Sequence, residues 1–345
     1  MESAGKRPPT LLDVANRAKV SKKTVSRVIN DQPGVGPQAR EFIKQIIKEM
    51  NFHPNMNARR LAGDRSFLIG LFVENPGSYV TEFQLGVAAR CRESDFHLIV
   101  EPWQPSEISI HHNLRPRLRQ LKLEGAILLP PLCDNALILE MLSEENVPQV
   151  RIAPVNERPD SPVVVMDDYA AARRLTAHLL DFGHRRIGFI WGCPDHCAAQ
   201  RRYQAFVDEM GQRGLSVDQD LVVPGNFRFE QGVIGAEHLL QRSEPPTAII
   251  ASNDDVAVAV FSVASRLGLR IPTDLSVTGF DDTPSSRMTW PQITTIRQPV
   301  FEMARVAAGM IIDFVPGRSG WPSPMPGKVM DFDFLIREST GAARV

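Results

Sequence analysis

From Phe67 onward, short apolar runs alternate along the chain with amphipathic stretches of 12 to 16 residues. Apolar runs of this length predict buried strands, whereas apolar residues at helical spacing predict helices. We expect strands at residues 67–73, 97–102, 125–130, 148–153, 163–166, 186–191, 221–223, 248–252 and 275–280. We expect helices between most of them, for example at residues 82–94, 135–145, 169–182, 200–213, 231–242 and 255–267. This alternation predicts βαβ units, in which helices cover both faces of parallel sheets.

About nine strands before residue 285 are many for one compact sheet, so the core is expected to form two doubly wound lobes. A long helix at 300–315, a Pro/Gly-rich stretch and a final strand near 329–336 are expected to cross back between the lobes as a hinge. The predicted lobes are residues 67–163 with 297–325, and residues 164–296 with 326–345. The fold class predicted for residues 67–345 is therefore α/β, with doubly wound parallel sheets in two lobes.

The charge of the chain is divided unevenly. Residues 1–66 contain thirteen Lys and Arg against six Asp and Glu, a net charge of +7. The remaining residues carry −8, so the whole chain has a net charge of −1. A basic segment on an acidic body predicts that the segment binds a polyanion such as nucleic acid. A solvated basic surface explains the charge alone equally well.

The basic segment begins with the pattern of two short helices. Thr10 and Asp13 have the spacing of a capping box at the start of the first helix. Ser21 is a good N-cap for a second helix at about residues 22–30. Two short helices joined by a tight turn, the second of which opens with Ser and Lys, predict a helix-turn-helix. The second helix of such a motif enters the major groove of DNA.

The helix-turn-helix leaves polar side chains free to contact bases and phosphates. The expected contacts are Thr10, Ser21, Lys22, Lys23, Thr24, Ser26, Arg27 and Asn30. A third helix is expected at about residues 38–50, with Phe42, Ile43, Ile46 and Ile47 facing inward. A three-helix bundle without a role in DNA binding is the alternative that this pattern leaves open.

The run from Leu12 to Asn30, LDVANRAKVSKKTVSRVIN, resembles the signature of the lactose repressor (LacI/GalR) family of transcriptional regulators. Similar landmarks follow along essentially the whole chain: FHPN at 52–55, ARRL at 58–61, FGHRRIGFI at 182–190, IIASNDD at 249–255 and LSVTGFDDT at 275–283. The resemblance implies an all-α DNA-binding head with a hinge helix, followed by a two-lobe core like that of periplasmic sugar-binding proteins. It further implies a homodimeric repressor that binds a pseudo-palindromic operator in double-stranded DNA.

The resemblance divides the N-terminal part into a head at residues 1–56 and a hinge helix with its linker at 57–66. In the family a hinge leucine wedges into the minor groove at the operator centre, and Leu61 occupies that place. Packing within its own domain is the alternative role for Leu61. The other DNA contacts implied for this region are Asn55, Ala58 and Arg59. Asp64 departs from the family pattern, because an acid is unfavourable beside DNA phosphates.

A small effector is expected to bind between the lobes, at the carboxyl ends of the strands. Asn253 and Asp281 follow predicted strands, and Arg202 matches the spacing of the family's effector-binding arginine. Phe227 occupies the place of a stacking aromatic, and Tyr79 is expected to reach in from the other lobe. Such groups suit a polyhydroxylated ring, so a sugar is the expected effector. A purine or another metabolite acting as corepressor stays open, as do helix capping and core packing for each residue alone.

Several other classes of protein fit the sequence poorly. No apolar run approaches the ~20 residues of a membrane helix and no secretory signal is visible, so a cytoplasmic location is expected. Serine-hydrolase and P-loop motifs are absent, so neither an enzyme nor a cofactor is predicted. A sugar-binding protein without DNA stays open, as does a sugar-processing enzyme, although no paired catalytic constellation is visible. Cys193, His196 and Cys197 are interpreted as a surface loop by the ligand cleft rather than a metal site. The final residues carry no leucine heptads, so a dimer is expected rather than a tetramer.

Overall fold

The computed structural model describes residues 7, 9–29, 32–52, 65–74, 77–103, 110–156, 158, 161–314, 321 and 327–344. The chain divides into two compact units, residues 1–66 and residues 67–345, which we call the head and the core. Most of the predicted hinge segment lies outside the described residues. The same holds for the predicted DNA contacts Asn30, Asn55, Ala58, Arg59 and Leu61.

The described part of the head consists of three helices, α1 Leu11–Ala18, α2 Lys22–Ile29 and α3 Pro37–Glu49. Their apolar faces meet in one small core, whose completely buried members are Val14, Val25 and Ile43. A core of this size is built from one apolar stripe on each helix, which is the pattern expected of an amphipathic three-helix bundle.

The prediction that Phe42 faces this core is wrong, because its side chain is 54% exposed. The buried stripe of α3 follows Ile43 and Ile46, with Ile47 partly buried beside them. Consecutive residues of a helix lie about 100° apart around its axis, so Phe42 falls outside a stripe that is centred on the later residues.

The core follows the predicted alternation of strands and helices, and the predicted α/β class is confirmed. In chain order its described elements are β1 Leu68–Val73, α4 Ser78–Glu93, β2 His97–Pro102, α5 Arg115–Leu121, β3 Gly125–Leu128, α6 Ala136–Glu144, β4 Gln149–Ile152, β5 Val163–Met166, α7 Asp168–Asp181, β6 Ile187–Trp191, α8 Cys197–Gln212, β7 Val222–Pro224, α9 Phe229–Leu240, β8 Ala248–Ala251, α10 Asp254–Arg266, β9 Ser276–Thr278, α11 Pro284–Met288, β10 Thr295–Arg297, α12 Val300–Phe314, β11 Gly327–Met330 and β12 Asp333–Leu335. A π-helical turn, Ile110–Leu114, precedes α5, and short 3-10 turns lie at Leu132–Asp134 and Gln219–Leu221.

Within the described residues, two parallel sheets organise the core. The first has the strand order β11-β5-β4-β3-β1-β2 and the second has the order β7-β6-β8-β9. Strands β1, β3, β4 and β8 are buried along their whole length, as expected where helices cover both faces of a parallel sheet. We call the regions built around the first and second sheets lobe 1 and lobe 2.

Three connections within the described residues carry the chain between the lobes. Strand β5 belongs to the first sheet, whereas the following α7 packs against α8 in lobe 2. Strand β10 leads to α12, which packs against α4 in lobe 1. Strand β11 returns to the first sheet, and the following β12 pairs antiparallel with β10. The late elements therefore cross between the lobes, as the sequence predicts.

The boundaries of the lobes differ from the prediction in detail. The sequence predicts residues 164–166 and 327–330 in lobe 2 and Arg297 in lobe 1. In the structure β5 and β11 pair with each other at one side of the first sheet, and β10 pairs with β12 beside the second. These pairings join segments far apart in sequence, so a pattern of apolar runs carries no information about them.

Helices α4 and α12 pack closely in lobe 1, and Gly86 on α4 makes this approach possible. A Cβ atom at this position would lie 2.3 Å from the carbonyl oxygen of Phe301 and 2.6 Å from Cβ of Ala304. Any larger residue would force the two helices apart. These helices, like the others that the structure describes, do not combine the length and apolarity needed to cross a membrane.

Candidate functional site

Backbone geometry fixes the turn between α1 and α2 in the head. Lys19 has a left-handed φ of 54°, and the Val20 N–H donates to the carbonyl of Ala15 at 3.0 Å. Ser21 then caps α2, because its Oγ accepts a hydrogen bond from the Thr24 N–H at 3.1 Å. The end of α1 and the start of α2 are thus held by separate bonds, which set the direction of α2.

Helix α2 has one buried and one exposed face. Val25 and Val28 are 0% and 3% exposed and pack into the head, whereas Lys22 and Lys23 are exposed. Arg27 is half-buried, and its guanidinium lies so close to Gly34 that a Cβ there would be 3.3 Å from Nη1. The two lysines at the N-terminal end of α2 are therefore available to contact DNA phosphates.

Three of the predicted phosphate contacts also hold helix ends. The Thr10 N–H donates to Oδ2 of Asp13 at 2.8 Å, and the Asp13 N–H donates to Oγ1 of Thr10 at 3.3 Å, which together form the predicted capping box. The hydroxyl oxygens of Ser21 and Thr24 lie 2.9 Å apart at the start of α2. Contacts from these residues and from Ser26 to DNA stay predictions.

In the core, polar side chains follow several strands and are buried. Asp168 begins α7 after β5, and Arg202 lies on α8 after β6. Asn253 follows β8, and Asp281 follows β9. These four side chains belong to residues that are 4%, 6%, 9% and 8% exposed, respectively. Polar groups at the carboxyl ends of parallel strands mark the crevice where ligands bind in open α/β folds.

The guanidinium of Arg202 is held on three sides. Its Nε donates to Oδ1 of Asp168 at 2.8 Å, Nη2 lies 2.8 Å from the same oxygen, and Nη1 donates to the Ser252 carbonyl at 2.8 Å. Its Cζ lies 3.4 Å from the centroid of the Phe280 ring, so one face is covered. Arg202 is thus rigidly oriented, and its remaining N–H groups are the ones that a ligand can use.

Sequence reasoning missed Asp168, which is the ionic partner of Arg202. The sequence contains a signal for Asp168, because this residue comes soon after strand β5, just as Asp281 comes soon after strand β9. The rule that selected Asp281 therefore also selects Asp168. The rule does not reveal that Asp168 serves Arg202, because this pairing joins residues 34 positions apart on two helices.

Asp281 combines burial with a strained backbone. Its φ is 108°, a conformation that residues with a side chain rarely adopt and that often marks a functional site. Gln298 Nε2 donates to its Oδ1 at 2.6 Å. Burial raises the pKa of Asp281 to about 7, against the opposing effect of the nearby Arg202. This carboxyl group therefore has acceptor capacity left for a ligand hydroxyl.

Phe227 is held in place by a tight turn. Its φ is 59°, and the N–H groups of Gly225 and Asn226 both donate to the carbonyl of Trp191. Its ring lies against Gly192, where a Cβ atom would be 2.2 Å from Cζ of the ring, so only glycine leaves room for it. The predicted aromatic surface is thus built by two turns that follow β6 and β7.

Phe227 also contacts the polar residues of lobe 2. The Asn253 Nδ2 donates to its carbonyl at 3.2 Å, and the centroid of its ring lies 6.0 Å from Cζ of Arg202. The His196 ring lies 5.3 Å from the Phe227 ring, and burial followed by the charge of Arg202 lowers the pKa of His196 to about 4. His196 is therefore neutral near pH 7, and sequence reasoning did not assign it to the effector site.

The amide of Asn253 is engaged at both ends. Its Oδ1 accepts from the Val256 N–H at 3.0 Å and so caps α10, while Nδ2 bonds to the backbone of Phe227. The capping role that the sequence left open is therefore present. A direct contact between Asn253 and an effector stays a prediction.

Tyr79 and His196 each lie close enough to a charged group of the other lobe for that charge to influence their pKa. Tyr79 lies on the first turn of α4 in lobe 1, and burial and then the charge of Asp281 in lobe 2 raise the pKa of its phenol. The charge of Asp134 in lobe 1 acts in turn on His196 in lobe 2. These interactions bring Tyr79 near Asp281 and Arg202, whereas a shared effector site formed by the five predicted residues Tyr79, Arg202, Phe227, Asn253 and Asp281 stays a prediction.

Asp254, beside the predicted site, has a structural role. Its Oδ1 accepts from Thr295 Oγ1 at 2.7 Å, and its Oδ2 accepts from the N–H and the hydroxyl of Thr283 at 2.6 and 3.0 Å. Burial and the nearby charge of Asp281 raise its pKa to about 8. Asp254 therefore joins α10 to the segments that follow β9 and precede β10.

Cys193 and Cys197 are free thiols that are half-buried at the start of α8. Burial raises the pKa of the Cys193 thiol. Across the residues that the structure describes, no group of three or more His, Cys, Asp or Glu side chains is arranged to hold a metal ion.

Two family models match the chain. Residues 10–55 match "Bacterial regulatory proteins, lacI family", and residues 176–340 match "Periplasmic binding protein-like domain". The HTH-type transcriptional regulator CelR of Thermobifida fusca is 32% identical over 342 residues, which cover 97% of this chain and 99% of the relative. The HTH-type transcriptional regulator DegA of Bacillus subtilis is 32% identical over 303 residues, with coverages of 85% and 88%.

Two solved structures are similar to this chain in fold. The transcriptional regulator CelR-cellobiose complex has a TM-score of 0.73 and 29% identity, with coverage of 96% of this chain and 99% of that chain. The lac repressor dimer bound to operator and the anti-inducer ONPF has a TM-score of 0.78 and covers 97% and 100%, respectively. Its identity is 24%, so this second likeness concerns the fold.

Proposed function

The chain belongs to the lactose repressor family of DNA-binding transcriptional regulators, and from this premise we propose that a sugar bound in its core controls how tightly the head binds an operator. Members of this family are transcriptional regulators and not enzymes. We also propose that the protein represses transcription and that it acts in the cytoplasm.

The observation that carries the proposal is the pre-organised polar cluster around Arg202. This guanidinium is fixed by Asp168 and Ser252, and it lies beside the aromatic ring of Phe227. Asp281 adds a buried carboxyl group from the neighbouring strand. Planar donors, a carboxyl acceptor and an aromatic surface together complement the hydroxyl groups and the C–H face of a sugar ring.

Control of DNA affinity requires that the sugar bind two states of the protein unequally. The cleft lies between lobes joined by three connections, so a ligand that contacts both lobes favours one lobe arrangement. We infer that this arrangement determines the position of the hinge segment, and through it the spacing of two heads on DNA. A homodimer on a two-fold symmetric operator is part of the proposal, as in the lac repressor dimer bound to operator.

A purine effector is the alternative that the sequence left open, and Phe227 alone would serve a purine equally well as a stacking surface. The polar groups favour the sugar, because Asn253 uses both ends of its amide within the protein. An amide whose oxygen and nitrogen are both engaged within the protein is poorly placed to form hydrogen bonds with the edge of a purine base.

The test uses operator and sugar binding measured on the same variants. Leu61→Ala removes the proposed minor-groove wedge, so we expect operator affinity to fall about 10-fold or more while sugar affinity stays unchanged. Calorimetry with cellobiose and other sugars, together with fluorescence anisotropy on operator DNA, measures both properties. A protein whose operator affinity responds to no sugar, but responds to a purine, would overturn the proposed effector.

A further inference from the structure

We propose that the effector is an uncharged sugar, and that the cleft discriminates against uronic acids and sugar phosphates. This inference rests on the proposed function, because it assumes that the cleft described above is the effector site. It goes beyond that function by specifying which chemical class of sugar the fixed charges of the cleft accept.

The cation of lobe 2 that faces the cleft is already neutralised. Arg202 and Asp168 form an ion pair in which both side chains are nearly buried, at 7% and 6% exposure. A buried arginine with its own carboxylate contributes hydrogen-bond donors to a ligand but little net positive charge. An anionic ligand at Arg202 would therefore meet the negative charge of Asp168 as well.

A buried cation of lobe 1 is engaged in the same way, and the charge of its partner Asp134 acts on His196 of lobe 2. Arg151 is 1% exposed, and its Nη2 pairs with Oδ1 of Asp134 at 2.5 Å. Its Nε donates to the Cys133 carbonyl at 2.6 Å, and Nη1 donates to the Asn156 carbonyl at 2.7 Å. Each nitrogen of this guanidinium thus has a partner inside lobe 1, which leaves it poorly placed to neutralise a ligand.

Further carboxyl groups lie near this cluster in the described part of the chain. Asp281 accepts from the neutral Gln298. The charges of Asp195 and Glu74 both act on the thiol of Cys193, so each lobe contributes an acid near this thiol. A ligand carboxylate or phosphate would bring negative charge close to these acids, and burial strengthens such repulsion.

The N-terminus of α7, which could attract an anion, is occupied by acids of the chain itself. Asp167 caps α7 by accepting from the Ala170 N–H at 2.9 Å, and Asp168 lies in the first turn of the same helix. The favourable interaction of this helix end with an anion is therefore already satisfied within the protein.

One buried hydroxyl group supports a ligand rich in hydroxyls. Ser252 is 4% exposed, and within the part of the chain that the structure describes its Oγ has no hydrogen-bond partner. Its carbonyl binds Arg202 and its neighbour is Asn253, so this hydroxyl belongs to the same cluster. A hydroxyl both donates and accepts, and a sugar hydroxyl satisfies both requirements without adding charge.

The test measures binding of chemically matched sugars to the full-length protein by calorimetry. The probes are glucose with glucuronate and glucose 6-phosphate, galactose with galacturonate and galactose 6-phosphate, and the uncharged disaccharide cellobiose. We expect an uncharged member to bind, and its charged counterparts to bind at least about 100-fold more weakly, because a buried unpaired charge lowers affinity on this scale. A charged sugar that binds as tightly as its uncharged parent, or a panel without any uncharged binder, would overturn the proposal.

A second measurement separates this proposal from the proposed function. If operator affinity responds to a uronate or a sugar phosphate alone, the chain is still a sugar-controlled regulator, and only the charge assignment is lost. If operator affinity responds to none of the probes although an uncharged one binds and its charged counterparts do not, the proposed function fails while the charge assignment stands. The two failures therefore give different results with the same protein.

Ser252→Ala tests the buried hydroxyl directly. We expect the affinity for the bound uncharged sugar to fall about 5- to 20-fold, as for the loss of one neutral hydrogen bond in a buried site. The matched control is Thr176→Val, which removes a buried hydroxyl that bonds to the Ala172 carbonyl within α7. Unchanged affinity in Ser252→Ala would count against the assignment of this hydroxyl to the site, as would an equal loss in the control.

Discussion

The head and the core use their cations in opposite ways. Lys22 and Lys23 of the head are exposed at the start of α2, whereas Arg202 and Arg151 of the core are 6% and 1% exposed and each is paired with an aspartate. Exposed lysines interact with the high charge density of DNA from many directions. Buried, paired arginines instead offer a few donors in fixed directions, which suits selection of one small molecule.

The difference implies that the two regions respond to different perturbations. Binding by the head depends on the release of counterions and is expected to be sensitive to salt. Binding in the cleft depends on hydrogen bonds between groups that are shielded from solvent, where salt screens little.

The largest expected effect is the salt dependence of the head. If about six phosphates are neutralised, operator affinity should fall about 10³-fold or more between 50 and 200 mM salt. Sugar affinity of the same protein should change less than about twofold over this range, because the cleft contains paired charges. Anisotropy and calorimetry in matched buffers measure both slopes, and equal slopes would remove the contrast. Operator binding by a fragment that lacks residues 1–66 would show that the core supplies DNA affinity.

Replacement of Arg202 should have the next largest effect, and only on the core. Arg202→Ala leaves Asp168 buried without its ionic partner, so we expect sugar affinity to fall about 30- to 1000-fold. Operator binding without sugar should stay normal, and a repressor variant of this kind should repress constantly. Arg213→Ala is the control, because Arg213 follows the same helix but is 42% exposed. Normal sugar affinity in Arg202→Ala would remove this residue from the site.

The head motif could be predicted from sequence because it is local. The caps Thr10 and Ser21 and the buried Val25 all lie within sixteen residues, and their spacing alone specifies two helices and a turn. The alternation of strands and helices in the core was equally readable, since each element depends on its own periodicity. The sequence pattern does not predict which lobe contains β5 and β11, because that depends on the pairing of residues 163–166 with residues 327–330.

The candidate residues of the cleft were predictable, whereas their interactions were not. Post-strand positions identified Asn253 and Asp281, but not the partners that fix them. The φ of 108° at Asp281 and the contact of Phe227 with Gly192 arise from tertiary packing. A sequence pattern records which residues follow a strand, and it does not record which distant group satisfies each donor or acceptor.

The third prediction concerns pH, to which the two regions should respond in opposite directions. The pKa of Asp254 in the core is raised from 3.8 to about 8, so its contribution to stability is fully present below pH 3.8 and is lost as pH rises toward 8. The pKa of Asp13 in the head is lowered by its bonds to Thr10, so its contribution is present above pH 3.8 and is lost as pH falls. Asp254→Asn should therefore flatten the decline in core stability with rising pH by several kcal/mol, since each pKa unit corresponds to about 1.4 kcal/mol.

Tryptophan fluorescence makes this measurement specific to the core, because all four tryptophans lie beyond residue 66. Urea unfolding of the wild type and of Asp254→Asn at several values between pH 4 and pH 8 gives the two slopes. The control is Asp274→Asn, which removes a carboxyl whose pKa is lowered by Arg270 and which should leave the decline in place. Parallel curves for the wild type and Asp254→Asn would contradict the assignment.

The smallest expected effect tests whether the position of the lysines in the head matters beyond their charge. Lys22→Gln combined with Lys23→Gln removes two exposed cations from the N-terminal end of α2, and Lys44→Gln combined with Lys48→Gln removes two exposed cations from α3. Both double variants change the net charge of the head equally. If α2 lies in the major groove, the first pair should lose about 10-fold in operator affinity and about two units of the salt slope. The second pair should lose less than about threefold, because only long-range attraction is weakened. Equal losses in the two double variants would mean that the head attracts DNA by total charge alone, and the assignment of α2 as the recognition helix would then fail.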